Sequence, residues 1–152
     1  MRAVLSAVLI AGIWVLNVPA LAGRLQIYSD AALTQCTLSD AAPATVNIYV
    51  ADNGWDGSTG ARFRIVASSG FTGVWLGETS PFTTVGISPT DFSVGYANCM
   101  TGTFLILKMT YQLFGTSTCS TLSVAPSPGF THLICTYCSF IEQPCYGFDA
   151  LH

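Results

Sequence analysis

Hydrophobic and polar residues alternate in short runs along most of the chain after residue 22. These runs are rich in Val, Ile, Phe, Tyr and Thr, and no window shows the 3.6-residue apolar period of an amphipathic helix. Alternation with a period of two places every second side chain on one face of a strand. The pattern therefore predicts an all-β protein.

The candidate strands are separated by Gly, Ser, Pro and Asn residues, which are typical of turns. The longest and most apolar run, residues 104–114, is predicted to be a central strand. The glycine-rich residues 51–60 are predicted to be a hairpin loop. Strand number and spacing favour an immunoglobulin-like antiparallel β-sandwich of about seven to nine strands. The candidates are residues 25–28, 45–50, 61–66, 73–76, 82–87, 92–96, 104–114, 121–125, 130–135 and 139–142.

The first 22 residues have the pattern of a secretory signal peptide. Met1 and Arg2 give a positive start, residues 3–16 are mostly apolar, and Ala20-Leu21-Ala22 has the form of a cleavage site. A retained membrane anchor is the alternative, but the apolar run is shorter than the roughly 20 residues that cross a bilayer. We expect a signal peptide over residues 1–22, a single domain over residues 23–152, and a secreted or periplasmic protein that does not contact the membrane after cleavage.

The charge composition argues against nucleic acid as a partner. The whole chain has a formal net charge of −3, and the part after the signal peptide carries four basic and eight acidic residues. Phosphate binding requires clustered Lys and Arg, which this chain lacks. Its sparse charge is more typical of an extracellular module than of a cytosolic enzyme.

All six cysteines follow the predicted cleavage site: Cys36, Cys99, Cys119, Cys135, Cys138 and Cys145. An even number in an exported chain predicts three disulfides, although six cysteines allow 15 pairings. Two alternatives depend on reduced thiols. The last four cysteines could form a zinc site, and Cys135-Thr136-Tyr137-Cys138 could form a redox pair. Export to an oxidising compartment favours disulfides over both.

Several short motifs resemble a loose set of exported bacterial proteins. They are Ile27-Tyr28-Ser29-Asp30, Ala32-Leu33-Thr34-Gln35-Cys36, the segments from Gly95 to Gly102 and from Gly115 to Cys119, Val124-Ala125-Pro126-Ser127-Pro128, and a strand that ends at Cys135. The resemblance implies an exported β-sandwich protein. It transfers no activity, because none is established for that set.

The sequence offers no catalytic set. The only histidines are His132, within a predicted strand, and His152 at the end of the chain, and no Gly-x-Ser-x-Gly turn occurs. The eight acidic residues are scattered, so no carboxylate pair for glycoside hydrolysis can be identified. We predict a protein that is not an enzyme and needs no cofactor or metal; a small secreted hydrolase is the weakest alternative.

The best candidate binding site is the loop predicted between residues 51 and 60. Trp55 is an apolar platform for a sugar ring or a protein contact, and Asp52, Asn53 and Asp56 supply hydrogen-bonding groups around it. The same oxygens superficially resemble a calcium loop, but Gly54 and Phe63 stand where an EF-hand needs ligands, so a calcium loop of another type is the alternative.

These observations lead to three functional hypotheses. The first is a secreted non-catalytic module with a structural, surface or binding role and an unknown protein or glycan partner. The second is a carbohydrate-binding module that uses Trp55, and the third is a hydrolase. The sequence leaves the ligand, the oligomeric state and the disulfide pairing open.

Overall fold

A computed structural model describes residues 24–148, without the side chains of Trp55 and Phe148. The predicted signal peptide, residues 1–22, lies outside the described residues. Residues 24–148 contain eight strands and no helix, so no helix there could cross a membrane. The strands are β1 (Arg24–Tyr28), β2 (Pro43–Ala67), β3 (Val74–Thr79), β4 (Thr83–Ile87), β5 (Asp91–Phe114), β6 (Leu122–Ala125), β7 (Leu133–Tyr137) and β8 (Glu142–Phe148).

The two longest strands, β2 and β5, run through both layers of a β-sandwich. They pair antiparallel from Pro43 opposite Phe114 to Phe63 opposite Phe92. In the first layer, β1 pairs with the first half of β2, and β3 pairs with the second half of β5. In the second layer, β7 and β6 pair with the second half of β2, and β4 pairs with the first half of β5. The predicted fold class is confirmed.

Strand β8 closes one side of the sandwich. It pairs antiparallel with β7 in the second layer and then parallel with β1 in the first. On the other side, β3 and β4 each pair only with β5 among the residues the structure describes. The sandwich therefore has one side joined by strand pairing and one side with two open edges.

The predicted hairpin loop over residues 51–60 is wrong, because the chain continues through it as part of β2. Register shifts fall between Gly54 and Ser58 and between Ser58 and Gly60, where β2 passes from one layer to the other. The Thr59 hydroxyl donates to the Tyr137 carbonyl at 2.9 Å, which satisfies a backbone acceptor at this irregularity. The candidate strands 92–96 and 104–114 are likewise parts of one strand, β5.

The core lies between the two layers and is formed by the inward residues of each strand. Its largest fully buried apolar side chains are Phe63, Phe92, Leu25, Ile27, Ile48, Ile106, Leu107, Met109, Leu113, Leu122 and Val50. Strict alternation along residues 104–114 would bury Leu105, Leu107, Met109, Tyr111 and Leu113, but Leu105 is only half-buried. A register shift opposite Val50 and Ala51 adds one residue to β5 and turns Ile106 inward instead.

Two disulfides form, rather than the three predicted. Cys135 bonds Cys145 between the paired strands β7 and β8, and both residues are buried. Cys99 of β5 bonds Cys138, which directly follows β7. Cys36 and Cys119 are not bridged.

The disulfide assignment predicts which thiols react in the purified exported protein. Peptide mapping without reduction should find the Cys99–Cys138 and Cys135–Cys145 peptides, with Cys36 and Cys119 alkylated. Cys119 should react faster, because it is exposed whereas Cys36 is half-buried and its sulfur accepts a hydrogen bond from Gln26 at 3.3 Å. Recovery of a Cys36–Cys119 peptide would contradict this assignment.

Removing the buried bridge should lower stability. We expect Cys135→Ala with Cys145→Ala to reduce the free energy of unfolding by roughly 2 to 4 kcal/mol, measured by urea titration. The control Cys119→Ser should change it by less than about 0.5 kcal/mol, since Cys119 is exposed and unbridged.

Candidate functional site

The structure separates the residues that were predicted to act together around Trp55. Asp52 is fully buried, Asn53 is half-buried, and Asp56 is exposed. The backbone of Trp55 lies in β2, but its side chain lies outside what the structure describes. Of the three polar candidates, Asp56 is therefore the one whose side chain is exposed.

Asp52 belongs to a buried polar cluster between the layers. Its Oδ2 accepts a hydrogen bond from the Tyr96 hydroxyl at 3.0 Å, while its Oδ1 is buried without a hydrogen-bond partner. Ser58, from the far side of the β2 irregularity, is also fully buried. Burial raises the pKa of Asp52 to about 6, although the Ser58 and Tyr96 hydroxyls oppose that rise.

Tyr96 connects this polar cluster to an aromatic one. Its ring centroid lies 4.8 Å from that of Phe82 and 5.1 Å from that of Phe104. Burial raises the pKa of the Tyr96 hydroxyl well above its ordinary value, and the charge of Asp52 adds to the effect. The phenol is therefore held protonated as the donor to Asp52.

The sequence contained a signal for this cluster that the hairpin prediction obscured. Ile48 and Val50 alternate inward, and the next inward position is Asp52. In β5, Phe92 and Val94 are followed in the same way by Tyr96. Extending both alternations would have placed an aspartate and a tyrosine between the layers.

One end of the sandwich carries the more accessible candidate surface, which we call the loop end. It consists of residues 54–57 of β2, residues 97–101 of β5 and the turn of residues 138–141 between β7 and β8. The Cys99–Cys138 disulfide joins the second and third of these segments. It packs against the first at Gly57, where a Cβ atom would lie 2.5 Å from the Cys138 sulfur and 2.8 Å from the Cys99 sulfur. Only glycine fits beneath this disulfide.

The turn of the loop end presents two apolar side chains to solvent. Phe140 is 80% exposed and Ile141 is 55% exposed. Phe140 has a φ of 61°, in the left-handed region that is unfavourable for a bulky side chain. Its N–H donates to the Tyr137 carbonyl at 2.8 Å, and the Tyr137 N–H donates to the Ile141 carbonyl at 3.0 Å.

Sequence reasoning missed this turn. Residues 139–142 were predicted to be a strand, but β8 begins only at Glu142. The turn contains no Gly, Asn or Pro to indicate a change of direction, and a phenylalanine in the left-handed region is the reverse of ordinary turn chemistry. Here the backbone pairing of β7 with β8 outweighs local preference.

The loop end is nearly uncharged. Asp56 is the one charged residue in its three segments. Partial desolvation raises the pKa of the neighbouring Tyr137, and the charge of Asp56 raises it further. The surface therefore combines exposed apolar side chains with a single negative charge.

Within residues 24–148, no three His, Cys, Asp or Glu residues are placed to hold a metal ion. Three of the four cysteines considered for zinc are in disulfides. In the calcium alternative, Asp52 faces the interior whereas Asp56 faces solvent. His132 is exposed, and its Nδ1 lies 3.1 Å from the Thr131 hydroxyl.

No known sequence family and no curated protein sequence matches the chain. Solved structures do match, and cohesin modules are among them. A cohesin module from a Clostridium perfringens family 33 glycoside hydrolase has a TM-score of 0.60 at 9% identity, covering 88% of this chain and 98% of the module.

Two further cohesins have the same fold. A type III cohesin from the cell-surface anchoring scaffoldin ScaE of Ruminococcus flavefaciens has a TM-score of 0.54 at 11% identity, covering 87% of each chain. The sixth cohesin of Acetivibrio cellulolyticus scaffoldin B, solved in complex with the Cel5 dockerin, has a TM-score of 0.54 at 7% identity, covering 86% of this chain and 97% of that one. At these identities the likeness shows a shared cohesin β-sandwich fold.

The buried carboxyl predicts a pH-dependent stability. The pKa of Asp52 is about 6 in the folded chain and near 3.8 when unfolded, so folding favours the neutral carboxyl. The contribution of the neutral Asp52 carboxyl to the free energy of unfolding is complete below about pH 4, and it is lost as the pH rises through 6. Asp52→Asn should therefore be more stable than the natural protein by about 3 kcal/mol at pH 7 and nearly equal to it at pH 4.

Chemical denaturation across this pH range measures the effect. The matched control is Asp56→Asn, which removes an exposed carboxylate from the same strand and should leave the pH dependence unchanged. Parallel pH profiles for Asp52→Asn and the natural protein would contradict the buried titration.

Proposed function

We propose that the chain is an exported, non-catalytic module that binds a protein partner through the loop end. The observation that carries the proposal is Phe140, a large apolar side chain that is 80% exposed on a left-handed residue. Exposing the ring and holding the backbone in that region both cost free energy. Contact with a partner would bury the exposed ring and would thereby offset these two costs.

The surroundings of Phe140 suit a protein contact. The neighbouring Cys138 is held by its disulfide to Cys99, so the base of the turn is fixed before any partner binds. A rigid aromatic side chain loses little conformational entropy on binding, and such residues often dominate interface energetics. Ile141 extends the apolar contact beside it.

The structural neighbours support a protein partner and export. One of the cohesins that share this fold was solved bound to a dockerin, and another belongs to a cell-surface anchoring scaffoldin. Neither likeness identifies the partner of this chain. The predicted signal peptide supports export independently of these structural neighbours.

A carbohydrate-binding module is the second candidate, because Trp55 and the exposed Asp56 belong to the same loop end. An indole stacks on a sugar ring, and a carboxylate accepts hydrogen bonds from its hydroxyls. The two candidates use adjacent parts of one surface, so single substitutions can distinguish them.

Site-specific crosslinking tests the protein-binding proposal. A photoreactive phenylalanine analogue at position 140, expressed in the source cell, should form a covalent adduct with a discrete protein partner. The same analogue at Phe114 is the control, because Phe114 is also exposed but lies at the end of β5 far from the loop end in sequence and pairing. Equal adducts at both positions, or none at position 140, would contradict the proposal.

Phe140→Asn separates binding from folding. Asparagine tolerates the left-handed region better than phenylalanine, so unfolding should require about 1 kcal/mol more free energy. Binding to the recombinant partner identified by crosslinking should nevertheless weaken by at least about tenfold, the usual order for an interface hot spot. A variant that is stabilised and binds normally would exclude Phe140 from the interface.

Glycan-array binding tests the second candidate. If carbohydrate is the ligand, the natural protein should bind a defined subset of glycans and Trp55→Ala should lose that binding. Phe140→Asn should retain it, because the stacking platform would be intact. Absence of glycan binding, or binding that survives Trp55→Ala, would remove the carbohydrate hypothesis.

A further inference from the structure

Strand β4 presents an unpaired edge on the open side of the sandwich. It pairs with β5 over five consecutive residues without a register shift, from Thr83 opposite Gly95 to Ile87 opposite Asp91. No other strand of residues 24–148 pairs with it. All five residues are exposed, and Val85 is 73% exposed. The backbone groups on its free side are therefore available to another strand.

The other open edge, β3, is less suited to pairing. Its register with β5 shifts between Trp75 and Gly77, which interrupts a regular ladder. Glu78 also places a charged side chain on the β3 strand, and its carboxylate accepts a hydrogen bond from the Ser88 N–H at 3.0 Å. Gly86 of β4 has a φ of 82°, but the register of β4 with β5 has no shift, and this unbroken register distinguishes β4 from β3.

The edge of β4 lacks the usual protection against pairing. Exposed edges are commonly guarded by charged side chains, especially lysine, or by proline within the strand. The whole segment from Thr79 to Thr90 contains no charged residue, and the strand itself reads Thr-Thr-Val-Gly-Ile. Two copies of this segment can approach each other without repulsion between like charges.

We propose that β4 pairs antiparallel with β4 of a second copy of this chain, about a two-fold axis at Val85. This register places the two Val85 side chains opposite each other and pairs Thr83 with Ile87 of the second copy. The same residues serve both chains, as a two-fold symmetric interface requires. The second layers of the two sandwiches then form one continuous sheet.

A groove at the end of β4 completes the contact. It has a volume of about 380 Å³ and is lined by Pro81, Phe82, Thr83, Gly95, Tyr96 and Ala97. Because Thr83 pairs with Ile87 of the second copy, that isoleucine lies at the rim of the groove. Ile87 is 43% exposed in the single chain, so pairing covers apolar surface on both copies.

Sedimentation equilibrium of the natural protein tests the proposal without any other ligand. Since five paired residues per chain form a small interface, we expect a reversible monomer–dimer equilibrium with a dissociation constant in the micromolar range. Val85→Lys should raise that dissociation constant at least about tenfold, because it places a charge on the pairing edge. Val74→Lys is the matched control, because Val74 is 50% exposed on the β3 edge, and it should leave the equilibrium unchanged.

Crosslinking tests the register independently. In a Cys119→Ser background, which removes the exposed thiol, Val85→Cys should form an intermolecular disulfide on oxidation by oxidised glutathione. The two thiols become one disulfide, and glutathione disulfide is reduced to two thiols. Val74→Cys in the same background should form at least tenfold less covalent dimer.

These experiments test β4 pairing independently of partner binding at the loop end. A natural protein that sediments as a monomer up to several hundred micromolar, together with no covalent Val85→Cys dimer, would overturn β4 pairing. Equal weakening by Val85→Lys and Val74→Lys would also overturn it. Phe140→Asn should leave the dimer intact, so failure of the loop-end proposal and failure of this one are distinguishable.

Discussion

The antiparallel pairing of β2 with β5 is the constraint on which the rest of the structure depends. Both strands pass from one layer to the other while remaining paired with each other. The two layers are therefore joined by the backbones of β2 and β5 and by the hydrogen bonds between these strands. The outer strands add to edges that this pair already defines. The place where the pair changes layer also brings the loop-end segments together, which links the architecture directly to the candidate site.

Changing layer has a local cost that appears as buried polarity. Where β2 loses its regular register, the inward positions on either side are taken by Asp52 and Ser58 rather than by apolar residues. Tyr96 of β5 satisfies one carboxylate oxygen there, whereas the other has no hydrogen-bond partner. The irregularity lowers stability near neutral pH through the buried Asp52, and it places Gly57 against the Cys99–Cys138 disulfide.

Alternation predicted the strands well because side-chain burial repeats every second residue, and this local rule was enough for the all-β class. It could not show that residues 45–50 and 61–66 belong to one strand, because glycine and aspartate favour turns unless neighbouring strands pair with them. Nor could it place Phe140, whose backbone is set by the β7–β8 pairing. The sequence identified Asp56 in the candidate surface but not Ile141, since exposure of an isoleucine depends on where a turn falls.

The two sides of the sandwich stabilise their surfaces by different means. On the closed side, β8 joins the layers and the Cys135–Cys145 bond reinforces its pairing with β7, so the turn that carries Phe140 extends from a covalently braced hairpin. The open side has no disulfide, and β4 is held by its ladder with β5 and by the side chains beneath it. A braced turn suits insertion into a preformed pocket, whereas an open edge suits recognition by backbone hydrogen bonds. The fold therefore supports two contacts of different chemistry, one at the turn of residues 138–141 and one at the edge of β4.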